Sequence, residues 1–116
     1  MRLIAIPIVL AALAAPAAAM DGDKNFWVIG GGSLRCSAYA QGSAEQKLTL
    51  ETWTAGYTTA MNRATSDTYN LMTISVDEAK ARLQQICEAS PEKLFVHAVH
   101  ELLESLYPNR ARRAPK

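Results

Sequence analysis

The chain has 116 residues, 49 % hydrophobic and 20 % charged, with 12 Lys and Arg against 11 Asp and Glu for a formal charge of +1. That balance excludes nucleic-acid binding driven by charge, and the length is that of one domain with a single core. Two histidines and two cysteines give little material for a metal centre.

The N-terminus carries Arg2, an apolar run over 3–15 interrupted by Pro7, then Pro16 and Ala17, Ala18 and Ala19. This is the pattern of a secretory signal peptide, 1–19, cleaved after Ala19. The run falls short of the roughly 20 apolar residues a membrane span needs. No cysteine follows the alanines to take a lipid, so the expected product is exported, soluble and periplasmic, with no transmembrane segment after cleavage. Loss of Arg2 leaves a formal charge of zero. In acid, below carboxylate pKa values of roughly 4, the basic groups stay charged and the molecule becomes strongly cationic.

Residues 20–32 read as a flexible N-terminal arm. Within it "FWVIGGGS", 26–33, is a short extended piece ended by glycines, or an aromatic pair tucked against the helices. The phosphate-loop patterns GxGxxG and GxxxxGK[ST] are absent, so the glycines read as a flexible turn. Ser33 is placed to N-cap a first helix, "LRCSAYAQ", whose apolar contacts are Leu34, Cys36, Ala38 and Tyr39 and which Gly42 ends.

A second helix is expected from Ala44 or Leu48 to Ala64. Leu50, Trp53, Tyr57, Ala60, Met61 and Ala64 recur at helical steps as its apolar face, while Lys47, Glu51, Thr58 and Asn62 look outward. Gly56 in its middle costs about 1 kcal/mol relative to Ala, which suggests a close neighbour beside Trp53. Residues 65–75 lack a helical face and read as a loop laid over the core by Tyr69, Leu71 and Ile74.

Ser75 and Glu78 form an S-x-x-E capping box for a third helix with the stripe Val76, Ala79, Leu83, Ile86 and Cys87. Ser90 and Pro91 start a fourth, Pro91 taking the first helical position. Leu94, Phe95, Ala98, Val99, Leu102, Leu103 and Leu106 line it, and Pro108 stops it. "NRARRAPK", 109–116, reads as a basic disordered tail, whose charges could touch anionic lipid or an acidic partner but usually serve solubility.

In an exported protein the pair Cys36 and Cys87 reads as a disulfide. Closing the loop between them stabilises the fold by about 4 kcal/mol on the chain-entropy model; the alternative is two reduced, buried thiols. The predicted fold is therefore all-α, a small bundle of about four helices over 33–108 stapled by one disulfide.

Catalytic machinery is not apparent. His97 and His100, followed by Glu101 and Glu104, do not form H-E-x-x-H and lack a third ligand, so they read as a solvated helix face. No G-x-S-x-G accompanies a base and acid, and Asp77 and Glu78 belong to a helix first turn. No cofactor is implied, and the chain is expected not to be an enzyme. Trp53, Tyr57, Met61, Leu94 and Phe95 are the candidate protein-binding residues, with core packing as the plainer role for the same side chains.

The export signal, "CSAY", "WTAGYTTAMN", the second cysteine and "SPEKLFVHAVHELLESLYP" together resemble the small periplasmic proteins of the HdeA/HdeB kind over residues 33–108. The shared elements are Cys36 and Cys87 at comparable separation, Tyr39 three after the first cysteine, and Pro91 shortly after the second. Leu34 and Arg35 stand where those chaperones carry a tryptophan. The chain is also similar to the Tai/Rap-type immunity proteins of type VI secretion, which share an aromatic-glycine helix followed by Cys, Pro and a final Ala- and Leu-rich helix. The first resemblance implies an acid-stress chaperone, a homodimer at neutral pH that exposes apolar helix faces to unfolding clients in acid. The second implies a protein that binds a specific effector in the periplasm.

Overall fold

A computed structural model describes Met20, Asp23 and residues 25–116; the signal peptide expected at 1–19 lies outside the described residues. Among the described residues four α-helices follow one another: α1 (Cys36–Ala40), α2 (Ala44–Ala64), α3 (Val76–Ala89) and α4 (Phe95–Leu106). Short 3-10 turns, Gly30–Ser33 and Tyr107–Asn109, flank them. Among the described residues there is no strand, only isolated bridges at Arg35 with Leu94 and Asn70 with Ala111. The chain is a small all-α bundle in which Cys36 and Cys87, 4.8 Å apart at Cα, are joined by a disulfide that staples α1 to α3.

α4 is the centre of the bundle. Phe95, Val96, Ala98, Val99, Leu102, Leu103 and Leu106 are all buried, which exceeds the single stripe of a surface helix. α3, α1, the Gly30–Ser33 turn and α2 pack around it. Tyr39, Leu50, Leu71, Ala79, Leu83 and the disulfide complete the core.

The start of α2 is set locally. Ser43 accepts from Gln46 N–H and Gln46 reaches back to Ser43 N–H, a complete capping box that fixes Ala44 as the first helical residue. At α3 the Ser75 half forms, its hydroxyl accepting from Glu78 N–H, while the Glu78 carboxylate turns to Arg82 instead.

Two expected helix starts are displaced by tertiary bonds. Ser33 does not cap α1; its hydroxyl donates to Gly30 O, and Arg35 is the residue before the helix. Pro91 is not the first residue of the last helix, which begins at Phe95. The reason is common to both. Cys36 N–H donates to Lys93 O at 2.7 Å and Ser37 N–H to Pro91 O at 2.9 Å, while Phe95 N–H donates to Leu34 O at 2.8 Å. Carbonyls from the 91–93 turn thus satisfy the orphan N–H groups of α1, a service a helical 91–94 segment could not perform. Leu34, expected as a core contact, is exposed.

The buried line of α2 also differs from its apolar pattern. Leu50, Thr54 and Thr58 are buried, Trp53, Tyr57 and Met61 flank them against the core, and Ala60 and Ala64 are exposed. Thr58, expected to look outward, is therefore inside. Val76 is exposed, outside the expected α3 stripe, and Tyr69 is exposed, its backbone rather than its ring anchoring the loop.

That anchor is the C-terminal segment. Tyr69 N–H and Asn70 N–H donate to Ala111 O, and Ala111 N–H donates to Asn70 O. Arg110 lies 3.9 Å over the Tyr107 ring and donates to Thr68 Oγ1, and Arg112 pairs with Asp67. The first part of the basic tail is thus laid along the 67–70 loop rather than free.

Candidate functional site

Four aromatic rings meet between α1, α2 and α4. Trp53 stacks on Tyr57 at 5.2 Å between centroids, and Phe95 lies 6.1 Å from Trp53 and 5.3 Å from Tyr39. Tyr39 and Phe95 are sealed, Trp53, Tyr57 and Met61 are half-buried, and Leu94 sits at the bridge to Arg35. The fold therefore brings Trp53, Tyr57 and Phe95 together, with Met61 one turn further along α2.

What covers this cluster is the glycine turn. A Cβ at residue 32 would fall 2.2 Å from the Trp53 ring, and one at residue 31 would fall 2.8 Å from a Leu50 methyl. Gly30 has φ +77°, a conformation that disfavours any side chain. A Cβ at residue 56 would meet nothing within 4 Å. The close approach expected at Gly56 is absent, and the glycines that permit it are Gly30, Gly31 and Gly32. The indole N–H of Trp53 donates to Ile29 O at 2.8 Å, fastening the arm at the point where the turn begins.

N-terminal to that bond the arm continues without regular secondary structure. Val28 is half-buried, and Phe26 joins Tyr57, Met61, His97 and His100 around a shallow hollow of about 240 Å³. Trp27 and Ile29 point the other way and are 88 % and 77 % exposed. An indole held almost wholly in water on an anchored segment is unusual. Phe26, Trp27, Val28 and Ile29 are all apolar, so the sequence carries no signal of which of them face out.

Polar groups near the cluster form short chains. Tyr57 Oη lies 3.4 Å from His100 Nδ1, and His100 Nε2 lies 3.2 Å from Glu104. Tyr39 donates to Glu51, which also pairs with Lys80 at 3.3 Å. Burial, then the Glu51 charge and its hydrogen bond, push the Tyr39 phenol well above its ordinary range, and burial alone raises Tyr57. His97 is exposed and His100 half-exposed; among the described residues no three His, Cys, Asp or Glu side chains converge to hold a metal ion. No helix of the described residues is long and apolar enough to cross a membrane.

A second concave surface lies between α2 and α3. The helices run antiparallel, linked from Glu51 to Lys80 at 3.3 Å. Lys47 also donates to Gln84 of α3, and Asn62 Oδ1 accepts from Leu71 N–H in the loop that leads to α3. Between the helices lies a groove of about 320 Å³ lined by Thr54, Thr58, Ala79 and Leu83.

Comparison with known proteins adds no relative: no family model, no curated protein and no solved structure matches the chain.

Proposed function

We propose that the chain is an exported, non-catalytic protein-binding module of the periplasm whose contact surface is already formed at neutral pH on the anchored arm. The observation that carries this reading is the outward pair Trp27 and Ile29, exposed on a segment fastened by the Trp53 to Ile29 bond. Tryptophan dominates binding hot spots when it enters an apolar cleft, and a segment already held in place loses little conformational entropy on binding. The fitting partner is a folded protein offering such a cleft, which supports the immunity-type role, capture of one specific effector in the periplasm. A photo-crosslinking residue at position 27 should yield one discrete adduct at neutral pH in exported protein. Trp27→Ala should abolish co-purification of that same partner while leaving the circular dichroism unchanged. No discrete adduct, or a partner retained by Trp27→Ala, would refute the arm as the contact surface.

The second reading, an acid-stress chaperone, rests on a different observation. The stack of Trp53, Tyr57 and Phe95 lies under a glycine turn, and lifting that turn would bare it to clients. In acid the 11 Asp and Glu neutralise while Lys, Arg and both histidines stay charged, so self-repulsion favours opening. Loss of near-ultraviolet dichroism with dye binding at roughly pH 2 to 3, and suppression of client aggregation there, are the expected signs. Sedimentation at neutral pH decides whether the resting state is a homodimer. A monomer that stays folded and inert in acid excludes the chaperone.

A further inference from the structure

The α2–α3 groove contains a hydroxyl that the fold leaves without a partner. α2 carries Thr49, Thr52, Thr54, Thr58 and Thr59. Four of them solve the problem of a helical hydroxyl in the usual way: Thr49, Thr52, Thr54 and Thr59 each donate to the carbonyl four residues back, at 2.9 to 3.1 Å. Thr58 does not. It is only 7 % exposed, and its Oγ1 is buried with no hydrogen-bond partner. A buried hydroxyl without a partner is costly, and this one belongs to a residue lining the groove between α2 and α3.

The other polar groups around the groove are engaged. Glu51 holds Lys80 and accepts from Tyr39. Asn62 holds Leu71 N–H, and Asn70 holds both Met72 N–H and Met72 O. The charges at the rim neutralise each other, so an ionic occupant gains nothing there. What remains is an apolar trough lined in part by Thr58, whose spare hydroxyl lies just beneath the surface and meets an occupant through a change of rotamer. Its volume is at the lower end of small-molecule pockets, roughly 300–1,000 Å³.

We propose that the α2–α3 groove is a binding site for a small, uncharged, mainly apolar molecule carrying one hydrogen-bonding group, which the Thr58 hydroxyl receives. The site is separate from the arm surface and does not depend on the protein-binding role.

N-phenyl-1-naphthylamine, neutral and apolar with a single N–H, is a suitable probe of the intact exported protein. Titration should saturate with one equivalent, and NMR shifts should centre on the methyls of Ala55, Thr58, Ala79 and Leu83. Thr58→Val, which keeps the shape and removes the hydroxyl, should weaken binding roughly 2- to 10-fold, the worth of one neutral hydrogen bond. Ala55→Leu, at the exposed rim, should abolish binding without changing the helical content, and Trp27→Ala should leave it unaltered. The proposal is overturned if the probe does not saturate, if its shifts centre on the arm instead, or if Thr58→Val binds as tightly as the parent. It is equally overturned if the unliganded protein is a dimer with Ala55 and Val76 buried between copies.

Discussion

The indole of Trp53 occupies the space that a side chain at residue 32 would need, its ring carbons 2.2 and 2.3 Å from where the Cβ would be. The same indole donates to Ile29 O, so one side chain both requires the glycine turn and holds down the arm that leads into it. The aromatic stack and the arm are therefore one mechanical unit.

Gly32→Ala should destabilise the bundle by about 1–3 kcal/mol, the usual result of overpacking a filled site, because the neighbouring atoms belong to a broad ring rather than to the end of a flexible chain. Gly56→Ala should instead stabilise it by up to about 1 kcal/mol, since its surroundings are open and alanine is the better helix former. Urea denaturation of the two single variants provides the comparison, and equal effects would contradict the assignment of the close contact to the turn.

Reduction of the Cys36–Cys87 bond should cost about 4 kcal/mol, given a separation of 51 residues. The link joins α1, a five-residue helix too short to persist alone, to the interior of α3. Loss of the bond should therefore release α1 first. Hydrogen exchange with and without reductant should show 36–40 losing protection ahead of α4.

How far these relationships are legible in the sequence depends on the range of the forces behind them. Ser75 before Val76, and Gly42 after α1, act within a turn of chain, and they mark boundaries that the fold keeps. The pairing of Cys36 with Cys87 follows from redox chemistry and count alone. Ser90 and Pro91 carry an equally good local signal that fails, because the 91 and 93 carbonyls are needed by Cys36 and Ser37 N–H groups more than fifty residues upstream. Gly32 escapes a local reading for the same reason: the cause of a glycine at a close contact is the neighbour, and Trp53 is distant in sequence. Thr54 and Thr58 are hidden by polarity: Thr54 bonds its own helix and is buried like a valine, Thr58 is buried without such a bond, and no apolar pattern reports either.

Stability should fall as pH rises above about 10, the ordinary tyrosine pKa. Burial raises both Tyr39 and Tyr57 in the folded state, so above that pH the unfolded chain releases protons that the native chain still holds. The native state then binds more protons, and unfolding becomes more favourable with each step of pH until the folded phenols also ionise. Tyr39→Phe should remove part of the alkaline slope. Denaturation midpoints from pH 8 to 12 for the two proteins test this, and parallel curves would contradict the role given to Tyr39.

Thr54→Val and Thr58→Val, one helical turn apart and equally buried, should differ in sign. Thr54 donates to Leu50 O at 2.9 Å, and its loss forfeits a net hydrogen bond of about 0.5–1.5 kcal/mol, partly offset by the more apolar methyl. Thr58 has no bond to lose, so removing its hydroxyl relieves an unpaired buried group and should raise stability by about 1 kcal/mol. Thermal unfolding should therefore place Thr58→Val above the parent and Thr54→Val at or below it. If Thr58→Val lowers the midpoint, the hydroxyl is bonded in the unliganded protein, and the groove between α2 and α3 holds no spare donor.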